Sequence, residues 1–368
     1  MAVQIQIPTD LLPVDGRFGS GPAKVRPEAL DYLAMRGDLM GTSHRQAPVR
    51  GLVRAVQESL AELYRIPEGY EVVLGNGGST LFWDLAVSSL IERRSAHGVF
   101  GEFSRKFASA AGRAPHLEAP AVSEAPAGSV ALPEAGDADV YAWAQNETST
   151  GAAAPVRRIG DGLVLIDATS AAGGMDADIA ETDVYYFAPQ KNFSSDGGLW
   201  LAFASPAAIE RAERIKASGR WIPETLDFTV AVKNSRLNQT LNTPALATLL
   251  LLEDQLGWML ELGGMEAVAA RCAESTSTLY AWAESRDFAS PFVADPAFRS
   301  PVVATIDLAD EIDAKAVIAA LRMNGIVDVD PYRALNRNQL RVGCYASVDP
   351  ADVEALVGCL DYVIGALA

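Results

Sequence analysis

Lys191 follows a short apolar run, Val184-Tyr-Tyr-Phe-Ala188, by way of Pro189-Gln190. Asp167 ends an earlier run of the same kind, Leu163-Val-Leu-Ile-Asp167, 24 positions before the lysine. Earlier still, Val72-Val-Leu74 leads into Gly75-Asn-Gly-Gly-Ser-Thr80 and then an amphipathic stretch. A lysine amine forms an imine with an aldehyde and shuttles protons once released; a carboxylate can keep a pyridine nitrogen protonated. Backbone N–H groups and hydroxyls at a helix start, here Gly78, Ser79 and Thr80, can seat a phosphate. Pyridoxal phosphate needs these three services, and the order phosphate loop, Asp, Lys is more specific than any one of them. Each residue also has an ordinary reading: Lys191 as a loop lysine, Asp167 as the cap of an Asx-type turn, Ser79 or Thr80 as an N-cap. A cap and a phosphate seat are compatible.

Other motifs fail. Gly16-Arg-Phe-Gly-Ser-Gly-Pro22 lacks the Gly-Lys-Ser/Thr of a P-loop, and Gly75–Thr80 has Thr80 where a dinucleotide fingerprint needs its third glycine. His44, His97 and His116 have no metal-ligand spacing, so no metal is expected.

These residues need a frame. Apolar runs at 71–75, 98–101, 139–144, 163–167, 184–188 and 198–204 read as strands, with helices at 48–65, 80–93 and 206–218. That alternation predicts an α/β fold with a mainly parallel sheet, whose ligands gather beyond the carboxyl ends of the strands. A Gly-Gly step near 262–265 ends one helical pattern and starts another at 267–285. Beyond it, strands at 301–307, 326–329 and 339–344 and helices at 313–324 and from 349 predict a smaller α+β domain. The division expected is a large domain at 16–262 and a C-terminal domain at 263–368, with 1–15 as an arm near the small domain or a dimer interface. The Ala/Pro-rich segment 115–137 reads as a surface excursion.

The chain has 368 residues, 49% hydrophobic and 21% charged, with a formal charge of −17. That charge opposes nucleic acid and anionic lipid. The longest greasy segment, 245–252, is too short to cross a bilayer. Three cysteines fit neither a disulfide framework nor a zinc site, and no leader pattern is visible, so a cytoplasmic protein is expected.

At this point the sequence resembles the phosphoserine aminotransferase family, a branch of the class-V, fold-type-I pyridoxal-phosphate enzymes. The matching stretches are Phe18-Gly-Ser-Gly-Pro-Ala23, Gly41-Thr-Ser-His-Arg45, Gly77-Gly-Ser-Thr80, Asn146-Glu-Thr148, Asp167-Ala-Thr-Ser170, Ala188-Pro-Gln-Lys-Asn192, Leu241-Asn-Thr-Pro244 and Leu340-Arg-Val342. They run in the family's order along nearly the whole chain. The resemblance implies Lys191 as the Schiff-base lysine, Asp167 at the pyridine nitrogen, and Thr148 near the phenolic oxygen. It implies Gly78, Ser79, Thr80, Thr169 and Gln190 as further cofactor contacts, and Asn242 and Thr243 as contacts to the neighbouring subunit's cofactor phosphate, hence a homodimer with shared active sites. Phe103 falls where many members carry a tryptophan stacked on the ring.

Substrate binding falls to arginines in the same comparison. Arg341 is the candidate clamp for an α-carboxylate, its planar fork matching that group as lysine does not. His44 and Arg45 would take the distal anion, and Arg333 and Arg337 stand nearby in sequence. The 333, 337, 341 spacing also fits one solvated helical face, although Pro331 and the alternation after Gln339 favour loop then strand. The implied reaction is transamination between glutamate and 3-phosphohydroxypyruvate, giving O-phosphoserine and 2-oxoglutarate in serine biosynthesis. Some members also use a phosphohydroxy acid of the pyridoxine pathway. Rivals are a glyoxylate aminotransferase, a cysteine desulfurase, which would need a cysteine absent from 320–340, and a catalytically silent cofactor-binding module.

Overall fold

The computed structural model describes residues 5–367. After helices α1 (Pro27–Met35) and α2 (Ala47–Tyr64), the chain builds a seven-stranded sheet. Its strands are β1 (Glu71–Asn76), β2 (Ser95–Val99), β3 (Ala121–Glu124) and β4 (Val140–Ala144). Beyond a small ladder of β5 (Asn146–Glu147) and β6 (Ala152–Ala153) follow β7 (Leu163–Asp167), β8 (Val184–Phe187) and β9 (Leu199–Ala204). The spatial order is β1-β9-β8-β7-β4-β2-β3, with β9 antiparallel to both neighbours and every other pair parallel. Helices α3 (Ser79–Ser89), α4 (Glu102–Arg113), α5 (Pro206–Ala217), α6 (Phe228–Arg236) and α7 (Leu246–Glu261) complete this part.

Strands covered on both faces read as continuous apolar runs, and β4, β7, β8 and β9 are buried at every residue. Strand alternation divides those residues between two cores. Tyr185 and Phe187 point to the side holding α2 and α7, whereas Val184 and Tyr186 point to the side holding α3 and α4. The α/β class expected from the sequence is the one observed.

The third core belongs to an antiparallel sheet of β10 (Ala289–Pro291), β11 (Val303–Leu308) and β12 (Gln339–Gly343), packed with α8 (Gly264–Glu284), α9 (Ala314–Met323) and α10 (Pro350–Leu367). Helix α8 serves two cores: Met265, Val268 and Cys272 join the first, Leu279, Trp282 and Ala283 the third. Ile5, Ile7 and Phe18 of the N-terminal segment also pack into the third. The first four residues of the expected arm lie outside the described residues.

Several expectations need correction. The strand expected at 98–101 lies at Ser95–Val99, because polar residues are buried in it: His97 meets the Ser95 hydroxyl at 2.9 Å. The helix expected to reach 93 stops at Ser89, and the Asp139 carboxylate takes the N–H groups of Glu92, Arg93 and Arg94 at 2.8–2.9 Å. The excursion at 115–137 contains the edge strand β3, whose Ala, Ser and Glu carry little strand propensity. Residues 326–329 form no strand; Val327 makes only an isolated bridge to Arg17, and Asp328 turns the chain at φ 64. Helices α1, α4 and α6 had no counterpart in the sequence reading.

Candidate active site

The lysine loop grows out of β8. Ser194 N–H bonds back to the Lys191 carbonyl at 2.8 Å, and Ala23 N–H bonds the Gln190 carbonyl at 2.8 Å, which ties the loop to the N-terminal segment. The Lys191 Nζ donates to the Ser20 carbonyl at 2.8 Å, an oxygen that also accepts from the buried Tyr345 hydroxyl at 2.7 Å. Gly21 lies directly beneath the amine. Its φ is +147°, and a Cβ there would stand 1.8 Å from Nζ, so only glycine fits. Burial and then the charge of Arg341 lower the Lys191 pKa to about 8, with Asp167 opposing.

Asp167 ends β7 and is 7% exposed. Trp83 Nε1 donates to its Oδ2 at 3.0 Å; the Thr169 N–H and hydroxyl donate to its Oδ1 at 3.0 and 2.5 Å. Since a carboxylate only accepts, the Thr169 proton points to Asp167, and the Ser79 hydroxyl, 2.6 Å from Thr169 Oγ1, must donate to it. The Asx-type turn is therefore present, within a wider network. Ser79 opens α3 without a side-chain cap before it; Leu81 and Phe82 N–H groups are the first to bond back, to Gly78 O. Ser79 and Thr80 amides thus have no intrahelical acceptor. Trp83, four residues after Ser79 on the same helix face, was missed by sequence reasoning; that spacing was the available signal.

Opposite stand the residues after β4. Thr148 Oγ1 donates to Ser170 Oγ at 2.7 Å, and Asn146 Nδ2 donates to the same oxygen at 2.9 Å. Fully buried Glu147 accepts from the N–H groups of Phe103 and Ser104 at 3.0–3.2 Å and from the hydroxyls of Ser104 and Ser149 at 2.9 and 2.7 Å, holding the start of α4. Phe103 is thereby fixed on the cavity wall. Arg341, on β12, donates from Nη1 to the Thr148 carbonyl at 3.2 Å, and burial lowers its pKa.

Gly78, Ser79, Thr80, Phe103, Thr148, Asp167, Thr169, Gln190 and Lys191 all line one cavity of about 250 Å³, together with Trp83, Asn146 and Ser170. Asn242, Thr243, His44 and Arg45 do not. They gather on the far side of the Asn76–Gly78 loop: His44 Nδ1 lies 3.3 Å from Thr243 Oγ1, Arg45 donates to Gln239 Oε1 at 3.3 Å, and Asn76 Nδ2 donates to the Thr243 carbonyl at 2.9 Å. Burial, then Arg45, lowers the His44 pKa. Arg333 is exposed in a 3-10 turn, and Arg337 is held by Asp307 at 2.5 and 3.1 Å, over the Phe292 ring. Neither lines the cavity, nor does Arg341, which touches it through the carbonyl of the lining residue Thr148. Among the described residues no cluster of His, Cys, Asp or Glu is placed to hold a metal, and no helix is long and apolar enough to cross a membrane.

The class-V aminotransferase family matches residues 135–329. A phosphoserine aminotransferase of a Nocardioides species is 57% identical, over 99% of both chains. Among solved structures, a phosphoserine aminotransferase from Cytophaga hutchinsonii superposes with a TM-score of 0.88 at 23% identity, over 95% of this chain and 99% of that one. A PLP-bound phosphoserine aminotransferase from Trichomonas vaginalis gives 0.80 at 20% identity, over 94% and 99%. The structures carry the fold alone, but the family match over half the chain and a relative alike from end to end carry more: this chain belongs to the class-V aminotransferases.

Proposed function

We propose that the chain is a phosphoserine aminotransferase that moves an amino group between glutamate and 3-phosphohydroxypyruvate through pyridoxal phosphate held at Lys191. The observation that carries this reading is the single cavity in which a Lys191 amine with its pKa brought down to about 8 faces a carboxylate locked by three donors. The cavity fits the cofactor in its unfilled valences too. The Gln190 and Asn146 side-chain oxygens are buried without partners, as is Arg341 Nε, and buried polar groups are otherwise paired. Relatives bearing the same activity in their name support the substrate assignment.

When bound, pyridoxal phosphate supplies an aldehyde that condenses with amino groups and a ring that withdraws electrons from the adjacent carbon. The α3 amides and the Ser79 and Thr80 hydroxyls would hold its phosphate, Asp167 its ring nitrogen, Thr148 its phenolic oxygen, and Phe103 one ring face. Arg341 binds the substrate α-carboxylate. Lys191, with its amine free, would take the proton from the substrate Cα and later give it back, as general base and then acid. His44, Arg45, Asn242 and Thr243 cluster outside this chain's own cavity, which suits a homodimer in which they serve the neighbour's site. Arg333 is the better placed of Arg333 and Arg337 for the distal anion, since Asp307 occupies Arg337. The reading divides the chain into 16–262 and 263–368 and places it in the cytoplasm, where three buried thiols stay reduced.

Titrating the PLP-loaded protein with glutamate, phosphoserine, alanine and aspartate tests this by cofactor absorbance. Glutamate and phosphoserine should discharge the absorption at concentrations at least about ten-fold below alanine, the worth of one extra charged contact. Preference for alanine would favour a glyoxylate enzyme, and no change with any amino acid a silent module.

A further inference from the structure

Tyr332 was not among the sequence candidates, yet it stands where two of them meet. The Arg341 guanidinium lies over its ring, 5.4 Å from the centroid, and its edge meets the Phe103 ring at 5.9 Å between centroids. Tyr332 immediately precedes the turn Arg333–Leu335, between α9 and β12, whereas Phe103 belongs to α4. One ring therefore joins the antiparallel sheet's side of the site to the helix that walls the cavity.

Arg341 is otherwise thinly held. Its side chain makes one hydrogen bond, to the Thr148 carbonyl, its Nε has no partner, and among the described residues no carboxylate pairs with it. A guanidinium drawn out of water with no counter-ion seeks one. Asp330, two residues before Tyr332, is exposed and near enough for its charge to bear on Arg341, although it is now paired with Arg322 at 2.9 Å. A ring face attracts the cation without consuming an N–H, so the fork stays free for a ligand.

We propose that Tyr332 is a positioning residue: by cation–π contact and by its brace against Phe103 it keeps Arg341 beside the cavity, against the Thr148 carbonyl, and it thereby sets the affinity for substrates bearing an α-carboxylate. This rests on Arg341 being the carboxylate clamp. The ring offsets the cost of a half-buried cation, and the incoming carboxylate meets a guanidinium already oriented, with no arginine–aspartate pair to break first.

Steady-state kinetics of the PLP-loaded Tyr332→Leu, Tyr332→Met, Tyr332→Phe and Arg341→Gln variants test it, with glutamate and phosphoserine as amino donors. Tyr332→Leu and Tyr332→Met should raise KM for both donors about ten-fold and leave kcat within about two-fold; Tyr332→Phe, which keeps the ring face, should stay within about two-fold of the parent in both. Unchanged KM in the Leu and Met variants, or a Phe variant as impaired as they are, overturns the role of Tyr332. If Arg341→Gln itself leaves KM unchanged, the clamp reading fails, and the proposal with it.

Discussion

The chemistry of this site turns on one amine and what surrounds it. An amine attacks only when unprotonated, and burial together with Arg341 brings Lys191 down to about 8. Uptake of pyridoxal phosphate by the cofactor-free protein, followed by absorbance, should quicken about ten-fold per pH unit below that value and level off above it. Removing the Arg341 charge removes a lowering influence, so Arg341→Gln should move the bend to higher pH. Gly21→Ala should slow uptake, since its methyl would push the Lys191 amine aside and strain the backbone at φ +147°; absorbance and borohydride trapping of label at Lys191 would both show the loss. Lys191, Asp167 and the Ser79–Thr80 pair were legible in the sequence because each ends, begins or closely follows an element at the carboxyl edge of one sheet. Trp83 and Tyr332 were not: an aromatic within an apolar stretch, or in a loop, looks like packing until its neighbours are known.

Elements were legible in proportion to how plainly burial wrote itself into residue type. Strands β7 and β8 were foreseen to within one residue because both faces are covered and every side chain but the terminal Asp167 is aliphatic or aromatic. β2 and β3 were displaced or hidden, since histidine, serine and alanine fill them. Helix α4 escaped notice because much of its buried face is alanine, and its start is fixed by a distant carboxylate, Glu147, rather than by a local cap. Glu147→Gln would set an amide NH₂ against those donors, and an unpaired buried group costs about 1–3 kcal/mol. The urea midpoint should fall accordingly with an unchanged slope. Phe103, displaced with the helix start, should also loosen the cofactor.

For the whole molecule, the two clusters on either side of the Asn76–Gly78 loop predict complementation between inactive chains. A Lys191→Ala chain mixed and refolded with an Asn242→Ala, Thr243→Ala chain, each weak alone, should recover about a quarter of the parental activity: half the dimers are hybrids, each with one intact site. Recovery no greater than the sum of the parents would show that each chain serves itself. The division proposed at residue 263 was read from a glycine pair, and Ile5 and Ile7 of the arm expected at 1–15 near the small domain or a dimer interface pack into the third core. Phe18 bonds through its N–H to Val327 and through its carbonyl to Gly343, and Asp352 on α10 accepts the N–H groups of Val14 and Asp15. Residues far apart along the chain therefore share one seam, and the Ser20 carbonyl that meets Lys191 is strung from it, so slackening at Phe18 or Asp352 should reach the amine.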